Sequence, residues 1–281
     1  MNTTGENKTV KYYVRSWRKE EKTIGFVPTM GALHEGHLDL VRKARETCDK
    51  VVVSIFVNPL QFNNPTDLEK YPRNLESDVE MLVKENVDLI YAPLATEFYP
   101  SPPNVSLDFG KVSSVLEGEM RPGHFSGVGI VVARLFHIVE PHKAFFGAKD
   151  LQQVAVIRNL INDLGFDIEL VRCPTKRETS GLAMSSRNKR LSESGKKTAA
   201  EIFAGLQLAM AGLGEFGFED AKKLAIQHLE KYPEIKTEYL EWVNPENMEI
   251  LSSTSQRKNP AICIAAWVEG IRLIDNLLGQ N

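Results

Sequence analysis

Apolar residues in this chain arrive in short unbroken runs separated by amphipathic stretches, and that alternation sets the fold expectation. Thr23–Val27 is the first clear strand. Lys50–Val57 is the second, and its run of β-branched residues suits a strand covered on both faces. Between them Leu38, Val41 and Ala44 recur at helical spacing, which predicts a β-α-β unit with a right-handed crossover. Asn58-Pro59 ends the second strand, and a long polar loop from Gln61 to Asn74 follows. Loops of that length in compact domains are usually functional or disordered. Leu75–Asn86 reads as a helix, Val87–Ala92 as a strand, and proline-rich Pro93–Asn104 as a rigid irregular segment. The glycine-rich stretch Leu116–Gly127 leads into a helix predicted over Val128–Val139. Ala144–Asp150 is a strand followed by a turn, Gln152–Leu164 a helix, and Phe166–Arg172 a further strand.

The rhythm then changes. Cys173–Leu191 is polar and reads as a hinge or flexible loop. Ser192–Leu213 and Phe218–Tyr232 predict helices, and Glu238–Val243, Met248–Leu251 and Ala261–Val268 short strands. The expectation is an α/β fold: a doubly wound, mostly parallel sheet over residues 1–174, then a smaller α+β C-terminal domain over residues 175–281. Ligands of such sheets lie outside the carboxyl ends of the strands. Those ends carry His34, His37, Gln61, Lys149 and Asp150.

Composition narrows the partners. A net charge of −3 supplies no basic field for nucleic acid or an anionic membrane, so phosphate chemistry must come from local cations. Cys48, Cys173 and Cys263 are far apart and odd in number, as expected of reduced thiols in a cytoplasmic protein. Met1–Lys8 is polar, so no signal peptide is expected, and no run approaches the roughly 20 apolar residues of a membrane span.

The candidate chemistry centres on Phe26–His37, where a strand meets a Gly31…Gly36 turn and then a helix. The first turn of a helix leaves backbone N–H groups without partners, the usual basis of an anion site. His34 and His37 stand at its mouth, three residues apart. They are either surface histidines or donors to a phosphate oxygen gaining charge. A metal reading lacks a third ligand nearby, so no metal site is expected. Gly31–His37 and Gly118–His124 match the glycine spacing of a phosphate loop but carry His where such loops carry Lys. Lys149-Asp150 is either a cation and a ribose-binding carboxylate or a solvated pair. Ser185-Ser186-Arg187 offers two hydroxyls and a guanidinium suited to phosphate. Gln61 is a loop amide or a substrate hydrogen-bonder. Of Gln152 and Gln153, one is expected to face a site and the other water.

Five blocks, taken together, resemble one family. Pro28–His37, Phe56–Phe62, Arg121–Phe125, Phe146–Gln153 and Gly181–Asn188 are similar to the signatures of the pantothenate synthetase (pantoate–β-alanine ligase) family, in order and spacing. His-x-Gly-His alone marks only the wider nucleotidyltransferase superfamily. Ala148 stands where the family often has Glu, and Lys176 where a small apolar residue is common.

The resemblance implies a Rossmann-like fold of nucleotidyltransferase type and an AMP-forming acid–amino-acid ligase. Pantoate would attack the α-phosphorus of Mg2+-bound ATP to give pantoyl adenylate and pyrophosphate, and β-alanine would then displace AMP. It implies catalytic roles for His34, His37, Lys149, Ser185, Ser186 and Arg187. ATP binding is implied for Met30, Gly31, Ala32, Leu33, His34, Glu35, Gly36, His37, Gly147, Ala148, Lys149, Asp150, Lys176, Met184, Ser185, Ser186 and Arg187. Gln61 and Gln153 would hold pantoate, and Gln61 would also lie near β-alanine. Arg121 and His124 would serve the loop or the site. The C-terminal domain would act as a lid, and a cytoplasmic homodimer is the family expectation. The competing readings are another His-x-Gly-His nucleotidyltransferase acting on a phosphate acceptor, and a non-catalytic nucleotide-binding module. The first wants an extra basic cluster; the second expects His37, Lys149 or Arg187 to be replaced.

Overall fold

The structure is a computed structural model and describes residues 2–252 and 259–279. The chain divides into two compact units. One comprises residues 1–148 with 156–174, the other residues 149–155 with 175–281.

In the first unit the elements run β1 (Asn2–Thr4), α1 (Asn7–Lys19), β2 (Ile24–Thr29), α2 (Glu35–Thr47), β3 (Lys50–Ile55), α3 (Pro65–Glu69), α4 (Leu75–Lys84), β4 (Leu89–Tyr91), α5 (Ala95–Phe98), α6 (Glu117–Met120), α7 (His124–Val139), β5 (Lys143–Gly147), α8 (Leu151–Leu164) and β6 (Glu169–Cys173). The first residues of α8 group with the second unit. The six strands form one parallel sheet in the order β1-β4-β3-β2-β5-β6. Chain order reverses between β2 and β5. That is the switch point outside which open α/β sheets bind ligands.

Alternation explains the layers. Val27 of β2 packs with Leu38, Val41 and Ala44 of α2 and with Val51 and Val53 of β3. Its neighbour Phe26 points to the other face and meets Phe136 of α7, ring centroids 6.4 Å apart. With helices on both faces the central strands are fully buried, so each large aliphatic side chain contributes about 1.5–3 kcal/mol of burial.

The second unit adds α9 (Glu193–Leu229), β7 (Lys236–Val243), β8 (Ala261–Val268) and β9 (Ile271–Leu278), the strands forming an antiparallel sheet in the order β7-β8-β9. Ile202, Leu206, Ala209, Ala221 and Ala225 of α9 pack on Leu240, Trp242, Ile262, Ile264 and Leu273 of the sheet. At Gly217 (φ +78°) α9 breaks into the two helices that the sequence predicts.

Several expectations need correcting. The polar loop after Gln61 contains α3, and the proline-rich segment contains α5. Helix α7 starts at His124, four residues earlier than expected. Gly127 lies inside it, where a Cβ would sit 2.3 Å from the Leu60 carbonyl oxygen, so this glycine marks a close approach and not a turn. Met248–Leu251 is not a strand. Met248 takes a left-handed conformation (φ +59°) after a turn from Asn244, and only a single bridge joins Val243 to Ile250. Strands β1 and β9 and helix α1 also escaped the sequence reading. Strand β1 is a short polar edge, and β9 has its alternation broken by adjacent buried Asp275 and Asn276. Helix α1 was legible, since Val10, Val14 and Trp17 recur at helical spacing and are its buried face.

Candidate active site

The first half of the candidate site is the turn between β2 and α2. It reverses through Gly31 (φ +79°) and Ala32 (φ +50°). Gly31 has no room for a side chain, since a Cβ would lie 2.9 Å from Asp78 Oδ2. Asp78, buried on α4, accepts the N–H groups of Ala32 at 2.9 Å and Leu33 at 2.8 Å. Gly31 N–H donates to Thr29 Oγ1 at 3.2 Å. His34 caps α2, its Nδ1 accepting from Gly36 N–H at 3.1 Å and its carbonyl from His37 N–H at 2.8 Å. The turn therefore uses these five backbone donors internally. Asp78 accepts two of them, Thr29 Oγ1 one, and the His34 ring and carbonyl the other two.

What the turn offers chemically is its imidazoles. The His34 and His37 rings stack 4.1 Å apart at 38°. Because His34 accepts at Nδ1, its neutral form carries the proton on Nε2.

Gln61 closes the same region from β3. Asn58 caps the 3-10 turn Pro59–Gln61, its Oδ1 accepting from Leu60 N–H at 3.3 Å. Its Nδ2 donates to Gln61 Oε1 at 3.1 Å and to the Gly127 carbonyl at 3.1 Å. Tyr99 donates to Asn58 Oδ1 at 3.2 Å, and burial pushes the Tyr99 phenol well above its ordinary range, so it keeps its proton. Gln61 Nε2 then reaches Met30 Sδ at 2.9 Å. Arg121 and His124 anchor the Gln61 main chain, donating to its carbonyl from Nη2 at 3.2 Å and Nδ1 at 2.9 Å. Asn58, Asp78 and Tyr99 were missed by sequence reasoning. Asn58 was visible only as a strand stop, and nothing in an amphipathic helix flags Asp78 as buried.

The second unit carries the other predicted residues. After Gly147 and buried Ala148, the 3-10 turn Ala148–Asp150 places Lys149 Nζ 3.5 Å from Asp150 Oδ1. On α8 Gln152 is buried and Gln153 half-buried. Lys176 and Met184 are paired, Met184 N–H donating to the Lys176 carbonyl at 2.9 Å. Inside that pair Arg177 bridges Ala183, Glu178 carbonyl accepts from Gly181 N–H at 2.9 Å, and Gly181 turns at φ +93°. Asn188 Nδ2 ties the Ala183 carbonyl (3.0 Å) to Glu178 Oε1 (3.2 Å). Ser185 Oγ accepts from Arg187 N–H at 3.3 Å and caps the 3-10 turn Ser186–Arg190. The stretch expected to be a hinge or flexible loop thus has its own hydrogen-bonded frame. The Ser, Asn and Gly residues that erase periodicity are those that build turns.

Within the first unit the structure brings Met30 to Gln61 and His34 to His37, and that unit also holds Gly31, Ala32, Leu33, Glu35, Gly36, Gly147 and Ala148. The second holds Lys149, Asp150, Gln153, Lys176, Met184, Ser185, Ser186 and Arg187. No described helix is long and apolar enough to cross a membrane.

Comparison with known proteins accounts for almost the whole chain. The family model for pantoate-beta-alanine ligase matches residues 2–278. A pantothenate synthetase of Cytophaga hutchinsonii is 48% identical over 271 residues, covering 96% of each chain, and one of Thermotoga petrophila is 46% identical at the same coverage. Among solved structures, pantothenate synthetase from Thermus thermophilus superposes with a TM-score of 0.92 at 41% identity, over 99% of both chains. A pantoate-beta-alanine ligase from Francisella tularensis, complexed with beta-gamma ATP and beta-alanine, gives 0.82 at 35% identity over 99% of this chain and 97% of its own. With fold, motif order and near-complete coverage in agreement, the chain belongs to the pantoate–beta-alanine ligase family.

Proposed function

We propose that this protein condenses pantoate with β-alanine at the expense of ATP, through a pantoyl-adenylate intermediate. The observation that carries the reading is the stacked His34–His37 pair at the carboxyl end of β2, beside the switch point of the sheet. A carboxylate does not form an amide with an amine at neutral pH, because oxide is its leaving group. Attack of the pantoate carboxylate on the α-phosphorus of MgATP breaks the α–β anhydride bond and releases pyrophosphate. The β-alanine amine then attacks the acyl carbon, the acyl–phosphate bond breaks, and AMP leaves. Positively polarised donors at the α-phosphate lower the first barrier electrostatically.

In this reading His34 Nε2 and His37 donate to the phosphates, with His37 the proton donor. Lys149, Arg187, Ser185 and Ser186 stabilise charge on the α-phosphate and the departing pyrophosphate. Ser185 Oγ uses a lone pair on Arg187 N–H, which leaves its own proton for an oxyanion. Asp150 binds the ribose hydroxyls, and Lys176 and Met184 flank the adenine. Gln61 and Gln153 hold pantoate, with Gln61 near β-alanine as well. Mg2+ arrives on the nucleotide, bound through phosphate oxygens. We place the enzyme in the cytoplasm, where its buried free cysteines stay reduced, as a homodimer and with residues 175–281 as a separate domain.

The deciding experiment is a coupled AMP-release assay with D-pantoate, ATP and β-alanine, each omitted in turn. AMP is expected only with all three. Equal AMP release without pantoate, or with a phosphate-bearing acceptor in its place, would refute the reading. Analytical ultracentrifugation is expected to return twice the chain mass.

A further inference from the structure

Two adjacent residues of β9, Asp275 and Asn276, are both buried, although neighbours in a strand face opposite ways. Each has a specific task. Asp275 takes the Arg177 guanidinium in a fork, Nη1 to Oδ2 at 2.6 Å and Nη2 to Oδ1 at 2.9 Å. The remaining capacity of that guanidinium goes to main chain, Nη1 to the Gly181 carbonyl at 3.2 Å and Nη2 to the Asn276 carbonyl at 3.0 Å. Its flat face lies 3.6 Å from the centre of the Phe203 ring. Arg177 is therefore fixed to β9 from one side and to the tip of the Lys176–Met184 turn from the other. Asn276 Nδ2 donates to the Lys149 carbonyl at 2.8 Å, and its own N–H donates to Asp275 Oδ1 at 2.8 Å.

A purely stabilising role is a poor account of this cluster. Burying an Arg–Asp pair costs desolvation that its attraction often only offsets, and apolar residues of similar volume commonly serve as well. Apolar residues cannot hold three main-chain carbonyls, at Gly181, Asn276 and Lys149. Those carbonyls belong to β9 itself and to the two segments that carry the cationic side chains, Lys149 on one and Arg187 just beyond the other.

We propose that Asp275 and Asn276 are positioning residues: they set the placement of the Lys149 backbone and of the Arg177-anchored turn that precedes Ser185–Arg187. The proposal rests on the reading of Lys149 and Arg187 as phosphate-handling groups. In this proposal both act through Lys149 and Arg177 and not by contact with substrate. One strand register thereby sets two cationic elements that are 38 positions apart, from Lys149 to Arg187.

The test is a double-variant cycle on the full chain, read as single-turnover pyrophosphate release from ATP and pantoate. Asn276→Asp keeps size but presents a carboxylate where the Lys149 carbonyl needs a donor. It is expected to slow release about tenfold, the equivalent of one hydrogen bond. The KM for β-alanine is expected to stay near wild type; the thermal midpoint is expected to fall, because the new carboxylate is buried beside Asp275, so release is read well below it. Combined with Lys149→Ala, it should add little to the loss that Lys149→Ala causes alone. Asn276→Gln, which retains the donor, should recover part of the rate. Arg177→Lys, which gives up the fork, should slow the same step, and it serves where Asp275→Ala fails to fold. Full additivity of Asn276→Asp with Lys149→Ala, or an unchanged rate in Asn276→Asp, would overturn the proposal while leaving the phosphate role of Lys149 intact. Near-normal release by Lys149→Ala alone would instead overturn the reading beneath it, and the positioning role with it.

Discussion

His37 and Lys149 are the side chains on which the proposed first step turns, and their removal should separate chemistry from folding. Neither supports a large apolar core, so His37→Ala and Lys149→Ala are each expected to fold. Each should lose pyrophosphate release by about 10²–10⁴-fold, the range typical of a positioned acid or charge donor. Near-normal release from either purified variant would refute its role. A different histidine governs stability. His142 Nδ1 accepts from Ile24 N–H at 2.9 Å, and the Ile24 carbonyl accepts from His142 N–H at 2.9 Å, joining the head of β2 to the approach to β5. Burial, reinforced by nearby Arg18, lowers the His142 pKa below the ordinary 6.5. The folded state then binds fewer protons than the unfolded one between the lowered value and 6.5. Its contribution is present above 6.5 and is lost as pH falls through that window. Urea midpoints should drop between about pH 7.5 and pH 5.5. His142→Gln, which keeps an acceptor but does not titrate, should show a smaller drop.

At the scale of elements, the proposed pantoate contact of Gln61 depends on how closely α7 approaches the turn after β3. Gly127 touches the Leu60 backbone, and Asn58 spans from the Gly127 carbonyl to Gln61. Gly127→Ala would drive its Cβ into the Leu60 carbonyl, so helix or turn must move. The expected cost is about 1–3 kcal/mol of stability, as for other overpacked contacts. A raised KM for pantoate should accompany it, while the KM for ATP changes less. Thermal unfolding and steady-state kinetics on one preparation check both. The same glycine shows why the start of α7 was illegible. A glycine-rich stretch reads as a turn unless the partner that needs the glycine is known, and that partner lies 67 positions earlier, Leu60 against Gly127. Strand β9 was hidden for a related reason, because Asp275 and Asn276 look like surface residues until Arg177 and Lys149 are placed against them.

For the molecule as a whole the proposed chemistry has an order. Pyrophosphate should form from ATP and pantoate before β-alanine is added, and isotope should exchange between pyrophosphate and ATP in its absence. An absolute requirement for β-alanine in that exchange would rule out a free-standing adenylate step. The parallel sheet, the strands β2 through β6 and the two helices within α9 were readable from local pattern, because periodicity and turn chemistry act over a few residues; the full set of candidate residues came from the family resemblance. The tertiary structure alone decided which donors those candidates keep. Asp78 and His34 take three backbone N–H groups of the β2–α2 turn, Asn58 orients Gln61, and β9 fixes Lys149 and Arg177. The contacts of Asp78, Asp275 and Asn276 join segments distant in the chain, and a buried polar group reveals its purpose only when its partner is beside it.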